Sequence, residues 1–484
     1  MTTRRDFLKE TLGSGAALAF AVSVTRSSTA AALQVDATAK AFRSKINGGV
    51  LLPEDSAYEA ARRVAFWNPM TAKHPAMIVQ CAGADDVARS IDFARRRGIS
   101  VAVRSGGHSF LGWGTCDHGL VIDLSRLKTI AIDPVNRVAR TGAGAVAHDV
   151  VSAAGRRGLA PVLGECPTVG VAGLTLGGGL GWLSGTHGAA CDNLLSADLV
   201  SADSRQLTAS ARSNSDLFWA VRGGGGNFGV ATSFEYRLHP IGPILAGGFT
   251  YRFRDARAVL RFYRDFMASA PDELQGVALF PNAATVLNVV LVYTGDPREG
   301  ERIVTPLRHV ASPLRDTMQR RAYADTFTMP PYGEGFLPVQ FSSCKATYVA
   351  QLSDEAIDIA LDRLSRAPEG CNLGFDHYMH GAVCHVPPNA TAFELRKPNA
   401  LHVWIGGGWS NSAAAAPAMT WVNETWKRLQ PFSGGRIYSN YQSTEGESAV
   451  KAVFGDNYAR LAALKKKYDP ANIFQLNQNV RPLA

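Results

Sequence analysis

The chain has 484 residues, 46% of them apolar and 19% charged, with a formal net charge of +9. That length exceeds one small core and predicts two structural domains of ordinary globular composition. The basic residues form no long run, which argues against nucleic-acid binding, and outside the N-terminus no stretch of about 20 apolar residues suggests a membrane span.

Residues 1–32 read as a targeting segment. Arg4-Arg5-Asp6-Phe7-Leu8-Lys9 forms a twin-arginine signature, followed by a weakly apolar stretch from Leu12 to Val24 and the small residues Ala30-Ala31-Ala32. This route exports folded proteins, so the expected partner is the twin-arginine machinery and the expected location is periplasmic or secreted. Removing the segment leaves a chain of about +7. The seven cysteines are odd in number and irregularly spaced, against a dense disulfide framework. There is no C-x-x-C pair and no His/Cys cluster with zinc spacing, so no metal is expected.

Residues 33–75 are expected to hold an amphipathic helix, punctuated by Trp67-Asn68-Pro69 and His74-Pro75. A β-α-β unit follows, with strand 77–80, helix 85–97 closed by Gly98, and strand 99–103. Strands are expected at 120–124, 129–133 and 137–141. Gly142-Ala143-Gly144 then precedes a helix at 146–155; it lacks the third glycine of a dinucleotide fingerprint. Ala202-Asp203-Ser204-Arg205 reads as a hairpin turn between strands 194–201 and 206–210. An alternating strand at 229–238 completes this region. Beyond 243, aromatic and β-branched strands (248–253, 287–293, 401–405) alternate with helices (256–267, 354–364), which predicts an antiparallel sheet with helices on one face. A short helix carrying Arg460, Leu461, Leu464 and Lys465 should end before Asp469-Pro470.

Three glycine-dense loops stand out. Arg104-Ser105-Gly106-Gly107-His108-Ser109-Phe110 leaves a predicted strand, and Gly164-Glu165-Cys166-Pro167-Thr168-Val169-Gly170 runs on to Gly177-Gly178-Gly179. Gly223 to Gly226 with Asn227-Phe228-Gly229 is the third. Glycine turns of this kind let backbone N–H groups approach phosphate. Three of them suit a long, flat, phosphate-bearing ligand.

On these loops, with Asp192-Asn193-Leu194-Leu195, Asp216-Leu217-Phe218-Trp219 and Tyr468-Asp469-Pro470, the chain resembles the berberine bridge enzyme-like flavoproteins, within the vanillyl-alcohol oxidase type of FAD-linked oxidases. The likeness runs from about Trp67 to the C-terminus. It implies an α+β, two-domain fold with an FAD domain at 33–242, a substrate domain at 243–430, and a segment at 431–484 that returns to the FAD domain. It also implies FAD held covalently by both His108 and Cys166, at the 8α-methyl and C6 positions of the ring. Such double attachment is expected to raise the reduction potential. Arg104, Ser105, Gly106, Gly107, Ser109, Val169, Gly170, Gly173, Gly177, Gly178, Gly229, Val230 and Asn477 stand at the family's cofactor-binding positions.

Further roles follow from the resemblance. Val169 matches the gatekeeper position beside the flavin, where valine leaves room for dioxygen, so an oxidase producing hydrogen peroxide is expected. Tyr438-Ser439-Asn440-Tyr441 matches a strand carrying the substrate-side base. If that segment is extended, Tyr438 and Asn440 face one way and Tyr441 the other, which favours Tyr438 as base with Tyr441 as the alternative. A phenol with an ordinary pKa near 10 would need a neighbouring cation or hydrogen bond for this role. His402 and Trp404 share one face of a substrate-facing strand, and Trp404 could stack on a sugar or aromatic ring. His187, where relatives carry a basic run, and Tyr378 and His380 are further substrate-side candidates.

The leading expectation is an exported FAD oxidase of alcohol groups on a sugar, oligosaccharide or other polar small molecule. Hydride would pass to flavin N5 and O2 would accept the electrons. The alternatives are a flavin dehydrogenase or oxidase of secondary metabolites, and a flavin-loaded binding protein without efficient turnover. The mature chain is expected to be a monomer or homodimer.

Overall fold

The computed structural model describes residues 39–329 and 341–483. The twin-arginine segment therefore lies outside the described residues. Among the described residues, the expected N-terminal helix is seen as a turn and a half at 39–43 and a separate piece, Tyr58–Ala61, with Pro53 between them.

Three sheets follow. The first has the spatial order Gly49–Leu51, Met77–Gln80, Leu120–Asp123, Val101–Arg104. Its outermost strand pairs antiparallel, and the other three are mutually parallel. The helix Ala84–Arg97 joins two of the parallel strands, with Asp85 and Asp86 in its first turn, Arg95 to Arg97 in its last, and Gly98 closing it at φ 62°. This distribution suits the helix dipole and the left-handed cap. Asp86 accepts the backbone N–H groups of Asn47, Gly48 and Ala82, tying the first strand to the helix start.

The second sheet is antiparallel. It runs Ile130–Asp133, Val138–Gly142, Val230–Pro240, Leu194–Val200, Gln206–Ser210, with Leu159–Pro161 also pairing on Val230–Pro240. The 202–205 turn forms as expected, with Ser204 at φ 67°. One apolar core joins these two sheets to the C-terminal helices Glu447–Phe454 and Tyr458–Tyr468. Lys465 fastens that junction. Its fully buried ammonium donates to Asp469 Oδ2 at 2.7 Å, Phe474 O at 2.8 Å and Asn227 O at 2.9 Å.

Among the described residues the third sheet has eight antiparallel strands, against the three that residue pattern marks. Ile244–Arg252, Val286–Tyr293, Leu274–Phe280, Cys371–Asp376, Leu401–Trp409 and Phe341–Val349 lie side by side, with Arg315–Asp316 and Gln319–Arg321 along the outer edge of the first. Leu274–Phe280 is buried on both faces, so it lacks the alternation that marks a half-exposed strand. The helices Ala256–Ala268, Asp354–Ser365 and Ala415–Leu429 cover one face, packing on Leu373, Phe375, Val403 and Ile405. By the period of two, Asn372, Gly374, Asp376, Trp404, Gly406 and Gly408 turn to the other face, towards the glycine loops. Arg396 bridges the two halves with a bidentate, nearly dry pair to Asp192, at 2.7 and 2.9 Å.

Candidate active site

A cavity of about 750 Å³ lies between the glycine loops and the uncovered face of the third sheet. That volume is in the range of a cofactor-sized ligand.

Its first wall begins where Val101–Arg104 ends. The Arg104 guanidinium is committed to Asp123 at 2.7 Å and to Arg63 O at 3.3 Å, both side chains being less than a tenth exposed. Arg104 thus braces the loop by its head group and lines the cavity with its stem. Ser105 Oγ donates to Ala143 O at 2.6 Å, and Gly107 turns the chain at φ 71°. The next loop is pressed directly against this one. A Cβ on Gly106 would collide with the backbone of Gly170, and one on Gly170 with Ser105 and Gly106. Only glycine permits so close an approach of two backbones.

This contact brings His108 and Cys166 together. The Thr168 hydroxyl lies 3.0 Å from His108 Nε2 and 3.7 Å from Cys166 Sγ. Burial holds the His108 imidazole down to about 4, against an upward pull from the Thr168 backbone, so the ring is neutral at pH 7. Burial pushes the Cys166 thiol up, while hydrogen bonds from Thr168 and Val169 pull it down. Both residues, with Ser109, Val169, Gly170 and Gly173, line the cavity.

The remaining glycines divide by purpose. A Cβ on Gly173 would meet nothing, so this residue opens onto space. Gly177 leaves room for Ser439 and Asn440, and Gly178, at φ 110° and away from the cavity lining, leaves room for Phe393. Gly229, at φ 154°, is pressed on Val200 O while Val230 lines the cavity. Asn477 donates to Gly226 O at 2.9 Å and Phe474 O at 3.1 Å, leaving its buried Oδ1 unpartnered at the cavity wall. An unfilled acceptor, an open glycine and a glycine-built floor fit a flat cofactor that supplies its own hydrogen-bonding groups.

The opposite wall differs from expectation. Tyr438–Tyr441 is not extended; Ser439–Tyr441 forms a 3-10 turn, so the two tyrosines converge with ring centroids 5.3 Å apart. The face-to-face separation inferred from alternation therefore does not hold. Tyr438 Oη accepts from Asn440 Nδ2 at 3.0 Å and Leu180 N at 3.2 Å. Burial nevertheless lifts its phenol well above the ordinary range. Tyr441 Oη donates to Asp376 Oδ2 at 2.6 Å; burial first and the Asp376 carboxylate second push its phenol up as well. The cation expected to lower one of these phenols is not among their described partners.

Trp404 lines the cavity, its indole lying where a side chain on Gly374 would go. His402 does not reach the cavity. It is fully buried behind the tyrosines, 4.8 Å from the Tyr438 ring, and burial drives its imidazole far down. Three other candidates are displaced from the site. His187 stacks on His239 at 3.7 Å, Tyr378 donates to Arg264 O at 3.4 Å within the third sheet's own core, and His380 bonds Gln275 at 2.9 Å. None of them lines the cavity. The group that alternation missed is Glu165, Asp376 and His377, all buried and all lining it. The Asp-His dipeptide two residues before Tyr378 was the available signal, as was a carboxylate beside Cys166.

Residues 75–210 match the FAD binding domain family, and residues 437–481 the berberine and berberine-like family. The chain is 31% identical over 456 residues to (R)-6-hydroxynicotine oxidase of Paenarthrobacter nicotinovorans, covering 90% of this chain and 97% of that one. The crystal structure of 6-hydroxy-D-nicotine oxidase from Arthrobacter nicotinovorans superposes with a TM-score of 0.81 at 27% identity, over 90% of this chain and 98% of that one. Chitooligosaccharide oxidase shares the fold, with a TM-score of 0.80 at 22% identity over 92% and 99%. The chain belongs to the berberine bridge enzyme-like family of the vanillyl-alcohol oxidase type and is an FAD-dependent oxidoreductase.

Proposed function

We propose that the protein is an exported oxidase with FAD attached through both His108 and Cys166. It oxidises an alcohol group of a sugar, oligosaccharide or other polar small molecule and uses dioxygen as acceptor, with hydrogen peroxide as product. Residues 33–242 and 431–484 would hold the cofactor and 243–430 the substrate. The observation that carries the reading is the shared contact of His108 and Cys166 with one Thr168 hydroxyl, which puts an imidazole and a sulfur at one edge of one cavity.

The 104–109, 169–173 and 225–230 loops and Asn477 would cradle FAD. When bound, the flavin supplies a two-electron hydride acceptor. What the chain supplies is a place for the substrate's proton. Neither phenol is poised to be a base by itself, since burial raises both. Tyr441 has a carboxylate behind it, whereas Tyr438 is engaged only by donors. Tyr441 therefore takes the substrate hydroxyl proton as it gives its own to Asp376, and Tyr438 orients the substrate. Trp404 offers an aromatic face for a sugar ring, and the valine at 169 leaves the cavity open for dioxygen.

The test is acid precipitation of purified protein. Yellow colour should stay with the pellet in wild type, persist in H108A and C166A singly, and wash out of the double variant. A peroxide-coupled screen of aldoses, oligosaccharides and aromatic alcohols then reads substrate class. Rapid reoxidation of reduced enzyme in air separates an oxidase from a dehydrogenase.

A further inference from the structure

Behind Tyr441 the carboxylate of Asp376 is not the end of the polar chain. His377 Nδ1 lies 3.3 Å from Asp376 Oδ2, and His377 Nε2 lies 3.8 Å from Glu165 Oε1. All three side chains are more than nine-tenths buried. His377 Nδ1, the ring nitrogen nearest Asp376, is buried and makes no hydrogen bond. The residue is also held at φ 48°, a conformation that costs a non-glycine residue energy and that clusters at working sites. Glu165 stands immediately before Cys166, on the loop that makes the other wall.

We propose that His377 is the terminal acceptor of the substrate's proton and that Glu165 is the positioning residue that holds its imidazole in the Nε2–H tautomer. This rests on the reading of Tyr441 and Asp376 given above. The bookkeeping balances without another reactant. The substrate O–H bond breaks and a Tyr441 Oη–H bond forms. Tyr441's original proton passes to Asp376 Oδ2 and from there to His377 Nδ1. The hydride leaves separately, to the flavin. His377 ends as an imidazolium between two carboxylates; its proton is given up when dioxygen is reduced to hydrogen peroxide, which needs one proton besides the hydride, and His377 and Asp376 are acceptors again. In the resting state burial outweighs Asp376 and keeps His377 neutral, ready to receive a proton.

The groups facing His377 come from several elements. Besides Asp376 and Glu165 they are Tyr441, His402 and Tyr438, with ring centroids at 5.5, 5.7 and 6.3 Å. The tyrosines and His402 are neutral, so the two carboxylates set the field.

The test is nitrogen-15 and carbon-13 NMR of histidine-labelled full-length holoenzyme, with H377N to assign the signals. Wild type should show His377 protonated on Nε2 only at pH 8. Replacing the carboxylate by E165Q should lower the pH at which that ring takes its second proton by about one unit. In anaerobic mixing with the substrate found by the screen, the pH profile of flavin reduction should shift in E165Q in the same direction. An Nδ1–H tautomer, or a titration unmoved by E165Q, overturns the proposal. Selective broadening of the His377 signals by Mn2+ also overturns it, because it would make these three side chains, whose donor atoms lie within 4.8 Å of one another, a cation site. If E165Q does not yield soluble holoenzyme, the wild-type tautomer decides. The NMR arm needs no substrate, so its failure is distinct from a failure to find alcohol oxidation.

Discussion

The two walls of the cavity are built on different principles. The glycine-loop wall is made of backbone; Gly106, Gly170, Gly173 and Gly229 matter for what they lack, and the cofactor's neighbours are turns. The sheet wall is made of side chains, with Tyr441, Asp376, His377 and Trp404 contributed by segments about 30 to 60 residues apart in sequence. Where two backbones touch, as at Gly106 and Gly170, that wall cannot accept a methyl group, whereas a wall made of side chains tolerates new shapes and fails only in its chemistry.

Gly170→Ala should do the most damage. Its Cβ must overlap the Gly106 backbone, so we expect a loss of about 3 kcal/mol or more and little soluble yellow protein, read by denaturant midpoint and flavin absorbance. Lys465→Met strips Asp469 of its buried partner. It should cost about 3–5 kcal/mol in urea unfolding, by loosening the C-terminal segment from the glycine-loop side. On the sheet wall the effects move from stability to rate. Asp376→Asn and Tyr441→Phe should keep the flavin but slow its reduction by about 10²–10⁴-fold. Tyr438→Phe should slow it far less, and equality of the two tyrosine variants would break the assignment.

Acid should act on stability through the buried histidines. His402 and His377 are held neutral in the fold, while their unfolded imidazoles titrate near 6.5. Below that pH the unfolded chain binds more protons than the native one, so stability is lost as pH falls. His402→Phe should remove one proton from that dependence in urea titrations between pH 7 and 5. His187→Ala, outside the cavity lining, should change turnover by less than about twofold.

What was legible in the sequence follows the same division. Backbone demands leave contiguous marks, so the paired glycines around His108 and Cys166 could be read directly, as could the β-α-β unit and the Ala202–Arg205 turn. The sheet wall was readable only in outline. Its residue pattern marks Tyr438 and Tyr441, but a 3-10 turn at Ser439 reverses the facing that alternation assigns. Asp376 and His377 carry no pattern that sets them above Tyr378 and His380, two or three residues along. No local pattern reveals that the strand Cys371–Asp376 ends at the cavity mouth, because that depends on its pairing with Leu401–Trp409.

The most direct measurement is peptide mapping of the purified, proteolysed protein by mass spectrometry. One FAD should join a peptide that contains His108 to a peptide that contains Cys166. Recovery of both peptides at unmodified mass, with the flavin released, would contradict it.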